Sequence, residues 1–146
     1  MAVEKAIYYI LENSNSLSSA KISFGVNQEI SQQTTPYQQS QIIFYKNSTE
    51  PYATKGTNGP LSGRSTIDRA TIKIEILAES ALTLSTLTSR VRGALDRQSG
   101  TFSGCVVQSI DYLNEDNEFE FDDGLSNRGW YQCNQYYAVR FEPSYI

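Results

Sequence analysis

Apolar residues near the N-terminus recur every three to four positions, which is the period of an α-helix that packs on one face. They fall in residues 2–12, where Glu4, Lys5 and Glu12 occupy other positions. The pattern predicts a short amphipathic helix whose charged residues are turned away from the core. Its predicted buried face consists of Val3, Ala6, Ile7, Ile10 and Leu11.

A second helical period follows Glu79-Ser80 and continues until Gly100. Ser80 and Thr83 are the candidate N-caps, because a side-chain hydroxyl can accept a hydrogen bond from an amide of the first helical turn. We expect this helix to cover the apolar side of a sheet. Its apolar residues at helical spacing are Leu84, Leu87, Val91, Ala94 and Leu95.

Elsewhere the period of the pattern is two, which is typical of strands. The strongest alternation is IDRATIKIEIL, where Ala70 and three isoleucines alternate with Thr71, Lys73 and Glu75. One face of this strand is therefore expected in the core and the other in water. The remaining predicted strands are KISFGV (21–26), QIIFYK (41–46), SGCVVQSIDYL (103–113) and GWYQCNQYYAVRFE (129–142).

The order of these elements predicts an α+β fold, with a mostly antiparallel or mixed β-sheet that carries two α-helices on one face. In the last strand we expect Tyr137 and Val139 to face the core and Arg140 to face out. A long loop is predicted at 47–66, because NSTEPYATKGTNGPLSGRST is rich in Gly, Pro, Ser, Thr and Asn. The length of 146 residues favours a single domain spanning 1–146.

The composition restricts the possible chemistry. The chain has no histidine, which removes Ser/His/Asp and Cys/His catalysis and leaves a metal site to carboxylates. No nucleotide-binding fingerprint is present. Cys105 and Cys133 lack metal-ligand spacing and are expected to be buried free thiols. We therefore predict no catalytic residues, no cofactor and no metal site.

The charge balance restricts the possible partners. The net charge of −4 argues against nucleic-acid binding through a broad basic face, although a local basic patch made by folding stays open. The sequence shows neither a signal peptide nor an apolar run long enough to span a membrane. We therefore expect the protein in the cytoplasm, without membrane contact.

One stretch, NEDNEFEFDDG at 114–124, concentrates carboxylates. In an extended chain its two phenylalanines share one side and two of its acids share the other, which predicts a half-buried strand that ends in a turn. The order does not match a calcium-binding loop, and nothing singles out a catalytic pair. A solvated hairpin, an electrostatic lining or partner surface, and a small carboxylate-dependent enzyme are the open alternatives. The candidate residues are Glu115, Asp116, Glu118, Glu120, Asp122 and Asp123.

The segment TIDRATIKIEILAESALTLSTLTSRVRGALDRQ resembles the tail-completion or tail-terminator (head-tail joining) proteins of long-tailed bacteriophages. The resemblance extends to the N-terminal helix, to QIIFYK after Pro36-Tyr37, and to a closing strand pair that begins VVQSIDYL and ends YYAVRF. It implies a structural virion protein that is not an enzyme. The long loop at 47–66 and the acidic hairpin depart from the compact pattern of that family.

The resemblance also implies partners and a location. Such a protein forms a ring, typically hexameric, at the head-proximal end of the tail tube, where it stops tube growth and joins the tail to the head connector or stopper protein. It is a virion protein of the tail and neck that is in the host cytoplasm during assembly. The loop residues Tyr52, Lys55 and Arg64 are candidates for contacts with a neighbouring subunit or the tube.

The acidic stretch fits the same ring in one of two ways. If it faced a central channel, like charge would let DNA pass through without specific binding. Otherwise it is a surface for a partner. Two further readings of the chain stay open: another neck component, such as a connector or stopper protein, and a monomeric phage-encoded binding module.

Overall fold

The computed structural model describes residues 2–25, 39–54, 65–121 and 129–143. Within these ranges the chain forms two α-helices, a short 3-10 turn at Asn15–Leu17 and six strands. The helices are α1 (Ala2–Glu12) and α2 (Ala81–Leu95). The strands are β1 (Lys21–Phe24), β2 (Gln41–Thr54), β3 (Ser65–Ala78), β4 (Gly100–Phe102), β5 (Cys105–Phe121) and β6 (Gly129–Phe141).

The six strands form one mixed sheet in the order β1-β2-β3-β6-β5-β4. The β1–β2 pair is parallel and the other pairs are antiparallel. Both helices pack on the same face of this sheet, which we call the helix face; the opposite side is the open face. The predicted α+β fold is confirmed.

The hydrophobic core lies between the two helices and the helix face. The alternation in β3 is realised as predicted, since Ala70, Ile72, Ile74 and Ile76 are fully buried. Burying each of the three isoleucine side chains stabilises the fold by about 1.5–3 kcal/mol. The predicted helical faces also enter this core: all five apolar residues of α1 are buried, and so are the α2 residues Leu84, Leu87, Val91 and Leu95.

Glu4 departs from the prediction that the charged residues of α1 lie away from the core. It is only 5% exposed, and its Oε2 lies 3.5 Å from Nζ of Lys46 on β2. Lys46 follows Ile42 and Phe44 on the helix face of β2, so its ammonium group reaches toward α1. A cross-element ion pair, which helical periodicity does not reveal, brings this carboxylate inside.

The N-terminus of α2 is capped by Ser80, one of the two predicted caps. The Ser80 Oγ accepts a hydrogen bond from the Thr83 amide at 3.1 Å. The helix ends at Leu95 rather than continuing toward Gly100. Arg97 adopts a left-handed conformation with φ 66°, and its amide donates to the Ile110 carbonyl at 2.7 Å, so the chain turns back onto β5.

The predicted loop at 47–66 is wrong at both ends. β2 continues through Thr54 and β3 begins at Ser65; residues 55–64 lie outside the described residues. The strand pairing shifts register between Lys46 and Ser48 and again around Pro51. β1 pairs only with residues 41–44 of β2. Within the described chain the outer edge of β2 at Pro51 therefore has no partner strand, and the missing proline N–H leaves no ladder hydrogen bond unmade there.

A tight turn at Ser103-Gly104 joins β4 to β5, and β4 was not predicted. The φ angles are 50° at Ser103 and 81° at Gly104, and Phe102 pairs directly with Cys105. Two consecutive positive φ values are the mark of a two-residue hairpin turn, for which glycine carries no steric cost.

The open face is not the water-exposed surface that the alternation of β3 predicts. Ile43 and Leu77 are buried there and pack with Tyr45 and Trp130. Glu75 is also buried; its carboxylate accepts from Tyr45 Oη at 3.2 Å and lies 2.9 Å from Lys73 Nζ. The aromatic side chains of Tyr45 and Trp130 thus cover Ile43 and Leu77 from neighbouring positions of the sheet.

Candidate functional site

The carboxylate-rich stretch is the distal part of the β5–β6 hairpin. β5 continues as a strand to Phe121, and its pairing with β6 runs through Phe121 and Gly129. We call residues 114–121 the acidic arm. The strand predicted for NEFEF is confirmed, but it is less buried than predicted, since Phe119 is 40% exposed. Asp122 and Asp123 lie outside the described residues.

The acids of this arm divide between the two faces of the sheet. Glu115 pairs in register with Gln135, whose side chain donates to the Thr88 carbonyl of α2, so Glu115 lies on the helix face. Asp116 pairs with Asn134 and Glu118 with Gln132, which places both acids on the open face. Glu120 pairs with Trp130, one alternation further along the strand. Among the described side chains, Glu115 therefore lies on the opposite face from Asp116 and Glu118.

Glu115 belongs to a hydrogen-bond network on the helix face. Its Oε1 accepts from Tyr112 Oη at 2.9 Å and from Gln135 Nε2 at 3.2 Å. Gln135 in turn donates to the Thr88 carbonyl of α2 and accepts from the buried Tyr137 hydroxyl. This network ties the acidic arm to the core, so the position of Glu115 is structural.

The acids on the open face are Asp116, which a neighbouring amide holds, and Glu118. Asn134 Nδ2 donates to Asp116 at 2.7 Å, and Gln132 Nε2 donates to the Asn134 Oδ1 at 2.8 Å. Glu118 is exposed. This part of the arm presents negative charge on the open face of an ordered strand, whereas the exposed register partners Phe119 and Tyr131 lie on its helix face.

A row of polar residues crosses the open face at the opposite end of the sheet. Glu50, Arg69, Arg140 and Ser109 are consecutive register partners on β2, β3, β6 and β5. We call this set the arginine row. Arg69 Nη1 lies 3.6 Å from Glu50 Oε1, while the Arg140 guanidinium lies 4.4 Å from the centre of the Tyr52 ring.

Three polar atoms of the arginine row are buried and have no hydrogen-bond partner: Arg69 Nε, Arg140 Nε and Ser109 Oγ. The row was missed by the sequence analysis, although the outward direction of Arg140 was predicted. The alternation in DRATIK and in YYAVRF indicates that each arginine leaves the core. Only the pairing of β3 with β6 shows that the two lie directly opposite each other.

Of the three residues of the 47–66 segment that were predicted to make contacts, only Tyr52 lies within the described residues. Tyr52 lies on β2, is 51% exposed and covers Arg140. Lys55 and Arg64 lie outside the described residues. Tyr52 is thus part of the surface around the arginine row rather than of a loop.

The two cysteines are free and buried, as predicted. Burial, together with the nearby Glu115 carboxylate, raises the pKa of the Cys133 thiol to about 12. Burial also raises the pKa of the Cys105 thiol. Both side chains stay protonated near neutral pH, and a protonated thiol is a poor nucleophile.

In the part of the chain that the structure describes, no group of three or more His, Cys, Asp or Glu side chains could hold a metal ion. Across the same residues, no helix is both long and apolar enough to cross a bilayer.

Comparisons with known proteins relate the chain to others by its fold. No protein-family model and no curated protein matches the sequence. Among solved structures, the chain is similar to one described as "Virion of native gene transfer agent (GTA) particle". The TM-score is 0.64 at 11% sequence identity, and the match covers 97% of this chain and 96% of that chain. The shared feature is therefore the complete fold rather than a short motif.

Proposed function

We propose that this protein is a structural component of a phage-like virion and, more specifically, that it is a tail terminator. The observation that carries the first part is the structural similarity to a virion chain over nearly the full length of both chains. The second part rests on the resemblance of the strand–helix segment 66–98 to tail-completion proteins. β3, the Ser80 cap and α2 occupy this segment.

In this proposal six copies form a ring at the head-proximal end of the tail tube. The ring stops tube growth, contacts the tube protein on one side and joins the connector or stopper protein on the other. DNA passes through without specific binding. Tyr52, Lys55 and Arg64 belong to the surface that meets a neighbouring subunit or the tube, and the acidic arm with Asp122 and Asp123 is a channel lining or a partner surface.

The chemistry of the chain supports a role in assembly rather than catalysis. It has no histidine, and its two thiols are buried and protonated at neutral pH. The acids of the arm are engaged with neighbouring amides or exposed on both faces of a strand. None of these features supplies an activated nucleophile or a matched acid/base pair.

The test is electron microscopy of particles assembled without this protein. We expect tails that are over-long, or tails of normal length that stay unjoined beside full heads, and we expect supplied wild-type protein to restore joined particles. Over-long tails support termination specifically, whereas normal tails beside full heads support a neck component. Normal, joined particles would overturn the virion role and favour a monomeric binding module.

A further inference from the structure

The arginine row has more positive charge and more hydrogen-bond donors than its neighbours satisfy. Arg69 and Arg140 are direct cross-strand partners, and like charges in that position destabilise a sheet. Glu50 contacts Arg69 at 3.6 Å, and both Nε atoms as well as Ser109 Oγ are buried without a partner. Unpaired buried donors cost free energy. The missing complement is an acceptor with negative charge.

Tyr52 partly stabilises the charge of Arg140 when the chain is not associated with another copy. Its ring covers the Arg140 guanidinium at 4.4 Å, and a cation over an aromatic face is partly stabilised. The ring is half exposed, so its rotation opens the guanidinium edge. A carboxylate can then accept two parallel hydrogen bonds from an arginine, a geometry that the contact with the ring face does not provide.

The same open face carries the matching negative charge at its other end. Asp116 and Glu118 are exposed on the acidic arm and pair in register with Asn134 and Gln132. Gln132 and Arg140 are eight positions apart on β6, which corresponds to about 26 Å along a strand. The acids and the arginines of one chain therefore cannot meet each other.

We propose that the acidic arm of one copy, through Asp116 and Glu118, binds the arginine row of a second copy, at Arg69 and Arg140. The two surfaces lie at opposite ends of the sheet, so the contact can repeat head to tail, and a repeated heterologous contact closes into a ring when the rotation permits. The inference rests on the proposed function, for which it names the surface between subunits.

A phosphate group of DNA is the other chemistry that two arginines recognise. The protein as a whole carries a net charge of −4, and a carboxylate strand of suitable sign lies on the same face. These two observations favour another copy of the chain as the occupant. Binding of duplex DNA that is lost in Arg140→Met would overturn this assignment.

The first measurement is sedimentation of the purified chain at concentrations up to about 1 mM, where even weak contacts are populated. We expect reversible self-association that weakens with added salt, because exposed charges are screened. Glu118→Lys and Arg140→Glu should each weaken association by about tenfold or more, since each places like charges at the contact. Lys5→Glu and Glu12→Lys, which change exposed residues of α1, are the matched controls and should not weaken it.

The decisive variant combines Glu118→Lys with Arg140→Glu. Reversal of both charges should restore association, and an equimolar mixture of the two single variants should associate more strongly than either alone. Loss of structure would not be rescued in this way, and the neutral variants Glu118→Gln and Arg140→Met provide a milder check in folded protein. A wild-type chain that stays monomeric at about 1 mM, or association that all these changes leave intact, would overturn the proposal.

These outcomes are separable from the proposed function. Charge-dependent self-association together with normal particles in the absence of the protein would retain the contact and reject the terminator role. Defective particles, together with association that the substitutions at Glu118 and Arg140 leave unchanged, would reject the proposed contact and retain the terminator role.

Discussion

Cys133 lies at the centre of β6, where its thiol is fully buried beside the Glu115 network. Its pKa is about 12 in the folded protein, against roughly 8.5 in an unfolded chain. As pH rises, the unfolded state therefore releases this proton first. The protonated Cys133 thiol contributes its full stabilisation below the pKa of the unfolded chain. This contribution is lost as pH rises toward the pKa of the folded protein, by up to about 1.4 kcal/mol per pH unit.

We therefore predict that Cys133→Ala lowers the slope of unfolding free energy against pH between about pH 9 and 11. Urea denaturation at several pH values measures this slope, and only slopes are compared, because the substitution also changes packing. Val139→Ala, at another buried position on the helix face of β6, is the control and should keep the wild-type slope. Equal slopes in Cys133→Ala and wild type would contradict the assigned shift.

The buried Glu4 makes a second prediction at this scale. Lys46→Met removes the cation 3.5 Å from a carboxylate that is 5% exposed. We expect a loss of about 1–3 kcal/mol of stability, less than for a fully buried pair because Lys46 is partly in water. Thermal or urea unfolding measures the loss, and Glu4→Gln added to Lys46→Met should recover part of it.

Lys5→Met, at an exposed position of the same helix, should change stability by no more than about 0.5 kcal/mol. If Lys46→Met were equally neutral, the ion pair would not contribute to the packing of α1.

Glu4 also marks a limit of sequence reasoning. A carboxylate within a helical pattern is expected in water, and only the position of Lys46 on another element makes its burial tolerable.

At the scale of single elements, the start of α2 depends on one hydroxyl. Ser80 Oγ accepts from the Thr83 amide, which is otherwise one of the unsatisfied donors at a helix N-terminus. Ser80→Ala should destabilise the protein by about 1 kcal/mol, as measured by urea unfolding. Ser80→Asp supplies another acceptor at the cap and should stay within a few tenths of wild type. Equal losses in both variants would exclude capping as the cause.

The elements that the sequence predicts well are those whose pattern is set by local burial. The apolar face of α1 and the alternation of β3 each depend on one element meeting one core, and the cap of α2 depends only on a hydroxyl three residues before the amide that it binds. The distal half of β2 was missed because its residues, NSTEPYAT, have few aliphatic side chains. It is a strand because β3 pairs with it, and the pairing shifts register directly after Pro51, between Pro51 and Ala53.

The candidate surfaces show the same limit on the scale of the whole molecule. The acidic arm could be located from composition, because six carboxylates occur in ten residues of one stretch. The placement of Glu115 on one face and of Asp116 and Glu118 on the other depends on the register with β6. The arginine row depends on three strand pairings between residues up to 90 positions apart in sequence, Glu50 and Arg140, and no local pattern contains that information.

The sheet topology predicts unequal stability across the molecule. β3 and β6 are each paired along both edges and lie under the helices, whereas β4 covers only residues 105–107 of β5. Within the described residues, β6 is the neighbour that supports the acidic arm. Regions with fewer contacts open locally at lower free energy than the core. The arm should therefore open without unfolding β3.

Hydrogen exchange of backbone amides, followed by mass spectrometry, measures this difference. In dilute protein we expect amides of 114–119 to exchange at least about tenfold faster than those of Ile72–Ile76, which should exchange only through global unfolding. At concentrations where copies associate, exchange in the arm and around Arg69 and Arg140 should slow, while exchange in α1 should not change. An arm as protected as β3 in dilute protein would show that its edge is already covered within one chain.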